Sequence, residues 1–271
     1  PTPTKVKISA YGVLDNLASV PMQRRAPGPG EVEISIRATG MNFRDVLRAL
    51  GMLKDFEAAR GYGSSAEMTF GFECAGTVVR AGAGVGHVRD GDNVVAALTF
   101  DGSLASYLTI DAAFVFAMPG RLSYEEAATL PLAYLTAEYG LRRLCSITRG
   151  DRVLIHAAAG GVGLAAVQIA RAAGAEIFAT ASPSKWPYLQ SLGINKLMNS
   201  RTTDFAAEVL RLTGGAGVDI VLNSLNGAFV PKSLEALRHG GRFIEIGKIG
   251  IWTAEQMAEA RPDVTYLPFD L

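Results

Sequence analysis

The sequence predicts an α/β protein in which a smaller, mostly-β lobe precedes a doubly wound parallel sheet. From residue 152 onward, short and almost continuously apolar runs alternate with helical segments, which is typical of a parallel sheet covered on both faces. Before residue 120, apolar and polar residues alternate singly between glycine-rich turns, as half-buried strands do. We therefore expect two domains, residues 1–120 and residues 121–271.

The first lobe contains short predicted strands and one predicted helix. The strands are residues 6–9, 32–37, 76–80 and 94–97. Between the second and third of them, residues 42–50 have helical spacing, with Phe43, Val46, Leu47 and Leu50 on one face. This spacing predicts a helix with a single apolar face.

The second domain opens with a capping box. Ser123 lies three residues before Glu126, a pairing in which each side chain bonds the other's backbone N–H, and we expect Pro131 to end or kink the helix. The strands predicted after it are residues 152–158, 176–182, 196–199, 218–223, 242–247 and 265–270. The helices between them begin at residues 162, 185, 203, 228 and 253. Six strands complete a doubly wound sheet.

The turn between the first of these strands and its helix is rich in glycine. Residues 161–166 (GVGLAA) match the pattern G-x-G-x-x-A, in which alanine is a permitted last member. The first glycine allows a tight turn, the second lets backbone N–H groups approach a pyrophosphate, and the last small residue lets the helix pack closely. The helix N-terminus adds partial positive charge. Because a second strand follows at βαβ spacing, we predict dinucleotide binding rather than a plain glycine-rich turn.

The residues after the second predicted strand indicate which dinucleotide binds. Folds that prefer NAD place a carboxylate there, on the ribose hydroxyls. In this chain no Asp or Glu lies between Glu176 and Asp204. Ser182 and Lys185 supply a hydroxyl and a cation instead, which suits the 2′-phosphate of NADPH. The alternative is that Ser182 only caps a helix and that Lys185 is a solvated surface lysine.

Composition excludes several classes of partner. Lys plus Arg and Asp plus Glu each total 26, and no basic run or acidic tail predicts binding to nucleic acid or a membrane surface. Cys74 and Cys145 are far apart in apolar surroundings, so we expect two small buried side chains. We expect a soluble protein in the reducing cytoplasm, and the start without Met indicates a domain of a longer chain.

Five segments of the chain resemble the enoyl reductase domains of modular polyketide synthases, which are zinc-free, quinone-oxidoreductase-like medium-chain dehydrogenases/reductases. They are residues 42–47 (NFRDVL), 71–76 (GFECAG), 156–163 (HAAAGGVG), 179–186 (ATASPSKW) and 243–248 (FIEIGK). The resemblance implies a substrate-binding first lobe and an NADPH-binding Rossmann domain. It also implies reduction of an α,β-unsaturated thioester on the phosphopantetheine arm of an acyl carrier protein, beside neighbouring synthase domains.

The resemblance also implies roles for particular residues. Asn42 and Thr136 would lie near the nicotinamide, and Arg201 near the adenosine end. Lys248 and Asp270 would form the pair that delivers or relays a proton. The expected cofactor-binding positions are Thr136, Gly160, Gly161, Val162, Gly163, Ser182, Lys185, Arg201 and Gly247, and the expected catalytic residues are Lys248, Asp270 and Asn42.

The chain departs from related enzymes at two informative positions. Phe72 occupies the place of a zinc ligand in the zinc-dependent alcohol dehydrogenases, and we therefore expect no metal. Leu53 stands where many of the reductases carry a tyrosine that donates a proton. The proton would then come from Lys248, from Asp270 acting through it, or from water, with the stereochemistry of the reductases that lack the tyrosine. We expect His87, His156 and His239 to be structural.

Three other functions remain open from the sequence. One is a free-standing quinone or enal reductase, and another is an inactive domain retained as a structural element of a synthase. The third is a variant reductase that closes a cyclopropane from a γ-halogenated enoyl thioester, because an enolate without a proton donor can displace a leaving group. Relatives usually continue past residue 271, so we also expect an exposed sheet edge at that end.

Overall fold

The computed structural model describes residues 2–59, 61, 63–100 and 102–271. The chain divides into two compact units, Pro1–Leu132 and Ala133–Leu271, whereas the sequence placed the boundary at residue 120. The difference arises from the helix that follows Ser123. Its alanines Ala127 and Ala128 are fully buried against Ala75 of the first unit, so this helix packs with the β-lobe.

Antiparallel strands form the first unit. Its strands are β1 (Thr4–Ile8), β2 (Leu17–Pro21), β3 (Glu31–Gly40), β4 (Glu73–Ala81), β5 (Asn93–Ala97), β6 (Tyr107–Asp111) and β7 (Val115–Ala117). Within the described residues, β1 pairs with β2, and the other five form one sheet in the order β6-β3-β4-β5-β7. The four predicted strands fall on β1, β3, β4 and β5. The short strands β2, β6 and β7 were not predicted.

The helices of this lobe differ from the predicted pattern. They are α1 (Phe43–Ala49), α2 (Lys54–Ala58) and α3 (Tyr124–Ala128), and α4 (Pro131–Glu138) follows across the boundary. In α1 the predicted apolar face is wrong, because Phe43 is 74% and Leu50 38% exposed while Asp45 and Arg48 are buried. Polar contacts to neighbouring loops hold α1 in place instead.

The Ser123 capping box forms as the pattern indicates. Ser123 Oγ accepts a hydrogen bond from the Glu126 N–H at 3.2 Å, and Glu126 Oε2 accepts one from the Ser123 N–H at 2.9 Å. Helix α3 ends at Ala128, and Pro131 begins the next helix. Proline suits that place because the first N–H of a helix has no partner within it. The helix continues from α4 as a π-helix, Tyr139–Leu144.

Strands and helices alternate through the second unit, all of which the structure describes. Its strands are β8 (Arg152–Ile155), β9 (Glu176–Ala181), β10 (Lys196–Asn199), β11 (Val218–Asn223), β12 (Leu237–Glu245) and β13 (Thr265–Pro268). Its further helices are α5 (Gly161–Ala173), α6 (Trp186–Ser191), α7 (Phe205–Leu212), α8 (Phe229–Ala236) and α9 (Ala254–Ala260). The sheet is parallel throughout, with the order β10-β9-β8-β11-β12-β13. This is the strand order of dinucleotide-binding sheets, which confirms the predicted fold class.

Successive side chains of the central strands enter two separate cores. Val153 and Ile155 belong to the core that includes α5, whereas Leu154 packs with α7 and α8 in the other. This alternation places apolar residues on both faces of the sheet, which explains the nearly continuous apolar runs in the sequence. Among the described residues, no helix combines the length and apolarity needed to cross a membrane.

Both cysteines are buried, as the sequence predicts. Burial raises the pKa of the Cys74 and Cys145 thiols to about 12. Cys74 lies in the core of the β-lobe, and Cys145 lies in a core of the second unit. Both therefore serve as small apolar side chains rather than as nucleophiles.

Candidate active site

A glycine-rich turn joins β8 to α5, where the sequence predicts a strand-turn-helix unit. Ala157 lies in this turn with a φ of 49°, and Gly160 caps helix α5, which begins at Gly161. The first turn of the helix, with Gly161, Val162 and Gly163, presents N–H groups that have no partner within the helix. Such groups and the helix dipole attract phosphate.

The structure corrects the roles that the sequence assigned to the glycines. A Cβ on Gly163 would lie 2.4 Å from the Ala157 carbonyl oxygen and 2.6 Å from Ala158 Cα. Gly163 is therefore the residue that allows close packing, which is the role of the third glycine of the pattern. The pattern in the structure thus runs from Ala158 through Gly160 to Gly163, three residues earlier than the sequence placed it.

Replacement of Gly163 with alanine tests this close contact. The added Cβ collides with backbone atoms that cannot rotate away, so we expect the free energy of unfolding to fall by about 1–3 kcal/mol. Gly161→Ala is the matched control, because the nearest atom to its Cβ is the Ala133 Cβ at 3.8 Å. Urea denaturation of both variants measures the difference. Equal losses in the two variants would contradict the assignment.

His156 is a buried structural residue and not a base. Ser233 Oγ donates to the Phe229 carbonyl at 2.8 Å, so it accepts from His156 Nε2 at 2.8 Å. His156 Nδ1 then accepts from Thr180 Oγ1 at 3.0 Å. The ring is 3% exposed and stands edge-on to Phe205 at 4.9 Å. Burial lowers the pKa of His156 to about 3, so the ring stays neutral.

The low pKa of His156 predicts a pH dependence of stability. Below its ordinary pKa of 6.5, His156 takes up a proton in the unfolded chain but not in the folded one until about pH 3. The free energy of unfolding therefore falls as the pH drops through this window, by up to about 1.4 kcal/mol per pH unit. We expect the stability difference between wild type and His156→Gln to shrink at this rate between pH 6 and 4 in urea titrations. A pH-independent difference would contradict the neutral ring.

The residues predicted to bind the adenosine end follow the carboxyl ends of two neighbouring strands. Ser182 and Lys185 directly follow β9, and Arg201 directly follows the neighbouring strand β10. The two strands are in register at their ends, where Ala181 pairs with Asn199. Lys185 and Arg201 are both exposed, and Ser182 is half-buried. The segments that follow these two neighbouring strands thus each carry an exposed cation, and the segment after β9 lacks the carboxylate that NAD-preferring folds place after the second strand.

Lys248 and Asp270 form an ion pair after the carboxyl ends of two other strands of this sheet. Lys248 follows β12, and Asp270 follows the neighbouring strand β13. Lys248 Nζ lies 2.8 Å from Asp270 Oδ1 and donates to the Phe269 carbonyl at 2.9 Å. The two side chains are 19% and 21% exposed, so the pair is shielded yet reachable. The structure thus brings together the two residues that the family resemblance suggested as a proton relay.

Asn42 is held in the β-lobe by a buried carboxylate that the sequence did not single out. Glu73 Oε1 accepts from Asn42 Nδ2 at 2.9 Å, and Glu73 Oε2 accepts from the Leu132 N–H at 2.7 Å. Glu73 is 3% exposed, and this burial raises its pKa. A Cβ on Gly40 would lie 2.5 Å from Glu73 Oε1, so glycine makes room for the carboxylate. The amide of Asn42 is therefore fixed in one orientation.

Phe72 occupies a position that cannot bind metal. Its ring is 2% exposed and lies under the guanidinium groups of Arg48 at 4.6 Å and Arg44 at 5.0 Å. Arg48 also pairs with the buried Glu57, with 2.8 Å between Arg48 Nε and Glu57 Oε1. Over the part of the chain that the structure describes, no group of three or more His, Cys, Asp or Glu side chains converges as metal ligands would.

Three further positions singled out in the sequence can be located in the structure. Thr136 is half-buried in α4, next to the fully buried Ala137. Leu53 is 2% exposed at the start of α2, so an apolar, buried side chain stands at the position of the tyrosine found in many related reductases. Gly247 lies between β12 and Lys248, and its N–H donates to Glu245 Oε1 at 2.7 Å.

Comparisons with known proteins agree with this geometry. The family model described as "Alcohol dehydrogenase GroES-like domain" matches residues 28–120, and the model "Zinc-binding dehydrogenase" matches residues 161–264. The chain is 44% identical over 265 residues to the pikromycin polyketide synthase component PikAII of Streptomyces venezuelae, which covers 97% of this chain and 7% of that synthase. It is 58% identical to the solved CurK enoyl reductase, with a TM-score of 0.97, and covers 81% of that chain. The chain belongs to the enoyl reductase domains of polyketide synthases.

The enoyl reductase domain is an oxidoreductase with a nicotinamide cofactor. The matching model described as zinc-binding covers residues 161–264, and Phe72 lies outside this range, in the part that the other model matches. The domain is also 45% identical to the CurF ER cyclopropanase from the curacin A biosynthetic pathway, with a TM-score of 0.93, and covers 82% of that chain. The domain thus spans a small part of the curated synthase and most of the two solved structures.

Proposed function

We propose that this domain reduces an α,β-unsaturated thioester on an acyl carrier protein with NADPH, beside the other domains of a polyketide synthase. The observation that carries the proposal is that several candidate residues follow the carboxyl ends of strands in the second sheet. The glycine turn after β8, the cations after β9 and β10, and the Lys248–Asp270 pair all follow the carboxyl ends of parallel strands. Such sheets bind their ligands at the carboxyl ends of their strands.

The residues that follow these strands fit NADPH along its length. The N-terminus of α5, with Gly160, would hold the pyrophosphate. Ser182, Lys185 and Arg201 would hold the 2′-phosphate with a hydroxyl and two cations. When bound, the reduced nicotinamide supplies a hydride to the β-carbon of the conjugated thioester.

Lys248 would supply the proton that completes the reduction. Hydride addition leaves an enolate on the thioester, and its electron pair takes a proton at the α-carbon. Lys248 Nζ carries such protons, and Asp270 and the Phe269 carbonyl orient it. The buried Leu53 cannot donate, and among Lys248, Asp270 acting through it and water, we propose Lys248 as the donor.

Substrate competition tests the carrier-bound assignment. We expect an enoyl group on an acyl carrier protein to be reduced with a higher kcat/KM than the same enoyl group as a free pantetheine thioester. A quinone should be reduced more slowly than either. Preferential use of the quinone would instead support a free-standing quinone or enal reductase.

A second candidate function is closure of a cyclopropane ring. The observation that favours it is the 45% identity to the CurF cyclopropanase, together with a buried leucine at the tyrosine position. In this reaction the enolate α-carbon would displace a halide from the γ-carbon instead of taking a proton. A γ-chlorinated enoyl thioester distinguishes the two reactions, because only ring closure releases chloride. An open-chain, saturated product would exclude this candidate.

A further inference from the structure

Two buried polar side chains meet at the ends of β11 and β12. Asn223 and Glu245 are the last residues of these strands and are paired in the parallel register. They are 0% and 1% exposed. Asn223 Nδ2 donates to Glu245 Oε2 at 2.7 Å, so the amide and the carboxylate bridge the two strands.

Each side chain also binds the loop that follows its own strand. Asn223 Nδ2 donates to the Leu225 carbonyl at 2.7 Å, and Asn223 Oδ1 accepts from the Leu225 N–H at 3.2 Å. Glu245 Oε1 accepts from the Gly247 N–H at 2.7 Å. The pair therefore fixes the start of both loops at the edge of the sheet where the proposed site lies.

Glu245 is connected to both members of the Lys248–Asp270 pair. Its side chain binds Gly247, which precedes Lys248. Its backbone carbonyl accepts from the Phe269 N–H at 3.2 Å, and Phe269 precedes Asp270. Lys248 Nζ closes the ring of contacts by donating to the Phe269 carbonyl. The contact with Gly247 depends on the glutamate side chain, whereas the contact with Phe269 is made by the backbone of residue 245.

Burying a carboxylate is energetically unfavourable, because the charged group loses its contact with water. Burial raises the pKa of Glu245, against the hydrogen bonds from Asn223 and Gly247 and the nearby charge of Lys248. Well-packed apolar residues often stabilise such a place equally well. The burial of Glu245 is therefore explained better by a need to fix the geometry of the neighbouring loops than by stability alone.

From these contacts we infer that Glu245, held by Asn223, is a positioning residue that sets the place of Lys248 for proton transfer. The inference rests on the proposed function, since it assigns Glu245 a role in that reaction. It extends the site inward from the residues that would touch the substrate.

The test compares two conservative substitutions of buried glutamates. Glu245→Gln retains the shape but turns one acceptor into a donor that faces Asn223 or Gly247. We expect kcat to fall at least tenfold while the Kd for NADPH stays within threefold. Glu33→Gln is the matched control, because Glu33 is 0% exposed in β3, where it binds Arg24 and Arg80. It should lose stability but keep its kcat.

A double-mutant cycle with Lys248→Ala separates positioning from a general structural role. If Glu245 acts through Lys248, Glu245→Gln should change kcat less than twofold once Lys248 is alanine. The same tenfold loss in both backgrounds would overturn the inference. If Glu245→Gln does not fold, Asn223→Ala replaces it in the cycle. Asn223→Ala should then also change kcat less than twofold once Lys248 is alanine.

Hydrogen exchange tests the contact between Glu245 and the Gly247 amide independently of turnover. We expect the Gly247 amide to exchange at least tenfold faster in Glu245→Gln than in wild type, with no change in Glu33→Gln. Unchanged exchange at Gly247 would overturn the inference even if the wild-type enzyme is active. A wild type that reduces no enoyl thioester would refute the proposed function, and exchange would still show whether Glu245 fixes this loop.

Discussion

Replacing Lys248 with alanine is expected to lower the turnover of a carrier-bound enoyl thioester by about 100-fold or more. A positioned general acid contributes about 10²–10⁴-fold to such a reaction. Lys248, the proposed donor, is held by contacts to Asp270 and the Phe269 carbonyl. NADPH binding should change little, because the phosphate-binding elements lie after other strands of the sheet. Stopped-flow consumption of NADPH and a separate binding titration measure the two effects.

Lys232→Ala is the control for loss of a lysine. Lys232 lies in α8, where it pairs with Glu235 at 2.7 Å on the surface, so its removal should leave turnover unchanged. Asp270→Asn should give a smaller loss than Lys248→Ala, because the Phe269 carbonyl still orients the amine. Unchanged turnover and product in Lys248→Ala would leave water as the proton source.

Replacing Lys185 with alanine is expected to weaken NADPH binding by about 10–100-fold and NADH binding by less than about twofold. The estimate corresponds to one charge-assisted hydrogen bond to phosphate, about 1.5–3 kcal/mol. Lys185 is exposed in the turn that follows β9. In dinucleotide-binding folds this region faces the adenosine ribose, which carries a 2′-phosphate in NADPH and a hydroxyl in NADH. Fluorescence titration of both dinucleotides measures the ratio of their dissociation constants.

Arg201→Ala extends the same experiment to the neighbouring strand. If both cations face the 2′-phosphate, each variant should lose NADPH selectivity, and the double variant should lose more than either. The Lys232→Ala control should bind both dinucleotides as wild type does. Equal weakening of NADPH and NADH in Lys185→Ala would contradict a contact with the 2′-phosphate, and unchanged binding of both would mean that Lys185 is only a surface lysine.

The parallel sheet could be predicted from the sequence because both of its faces are buried. Apolar runs such as 153–155 and 220–222 need no partner in the sequence to be recognised as strands. The short strands β2 and β6 lack such runs, and β7 lies in the apolar stretch 112–118, which could belong to either a strand or a helix. The glycine pattern was recognised three residues out of place, because two alignments fit the letters and only the contact at Gly163 distinguishes them.

The polar interior of the site could not be predicted from the sequence. Glu73 and Glu245 look like ordinary surface carboxylates until the fold brings Asn42 and Asn223 against them. Helix α1 shows the same limit, since Asp45 is buried because the Gly71 N–H, 26 residues away, donates to it at 2.7 Å. In each case the partner that makes burial possible lies far along the chain. The Lys248–Asp270 pair was anticipated only through the family resemblance.

Transfer of a hydride from NADPH to an enoyl group on a carrier protein is the reaction that we propose for this domain. The most direct test is the mass of the carrier arm after incubation of a short enoyl-carrier protein with the domain and NADPH. We predict a gain of two hydrogens, formed faster than with NADH. Tight binding of NADPH with no change in the mass of any enoyl carrier would contradict the claim, and absence of NADPH binding would indicate an inactive domain.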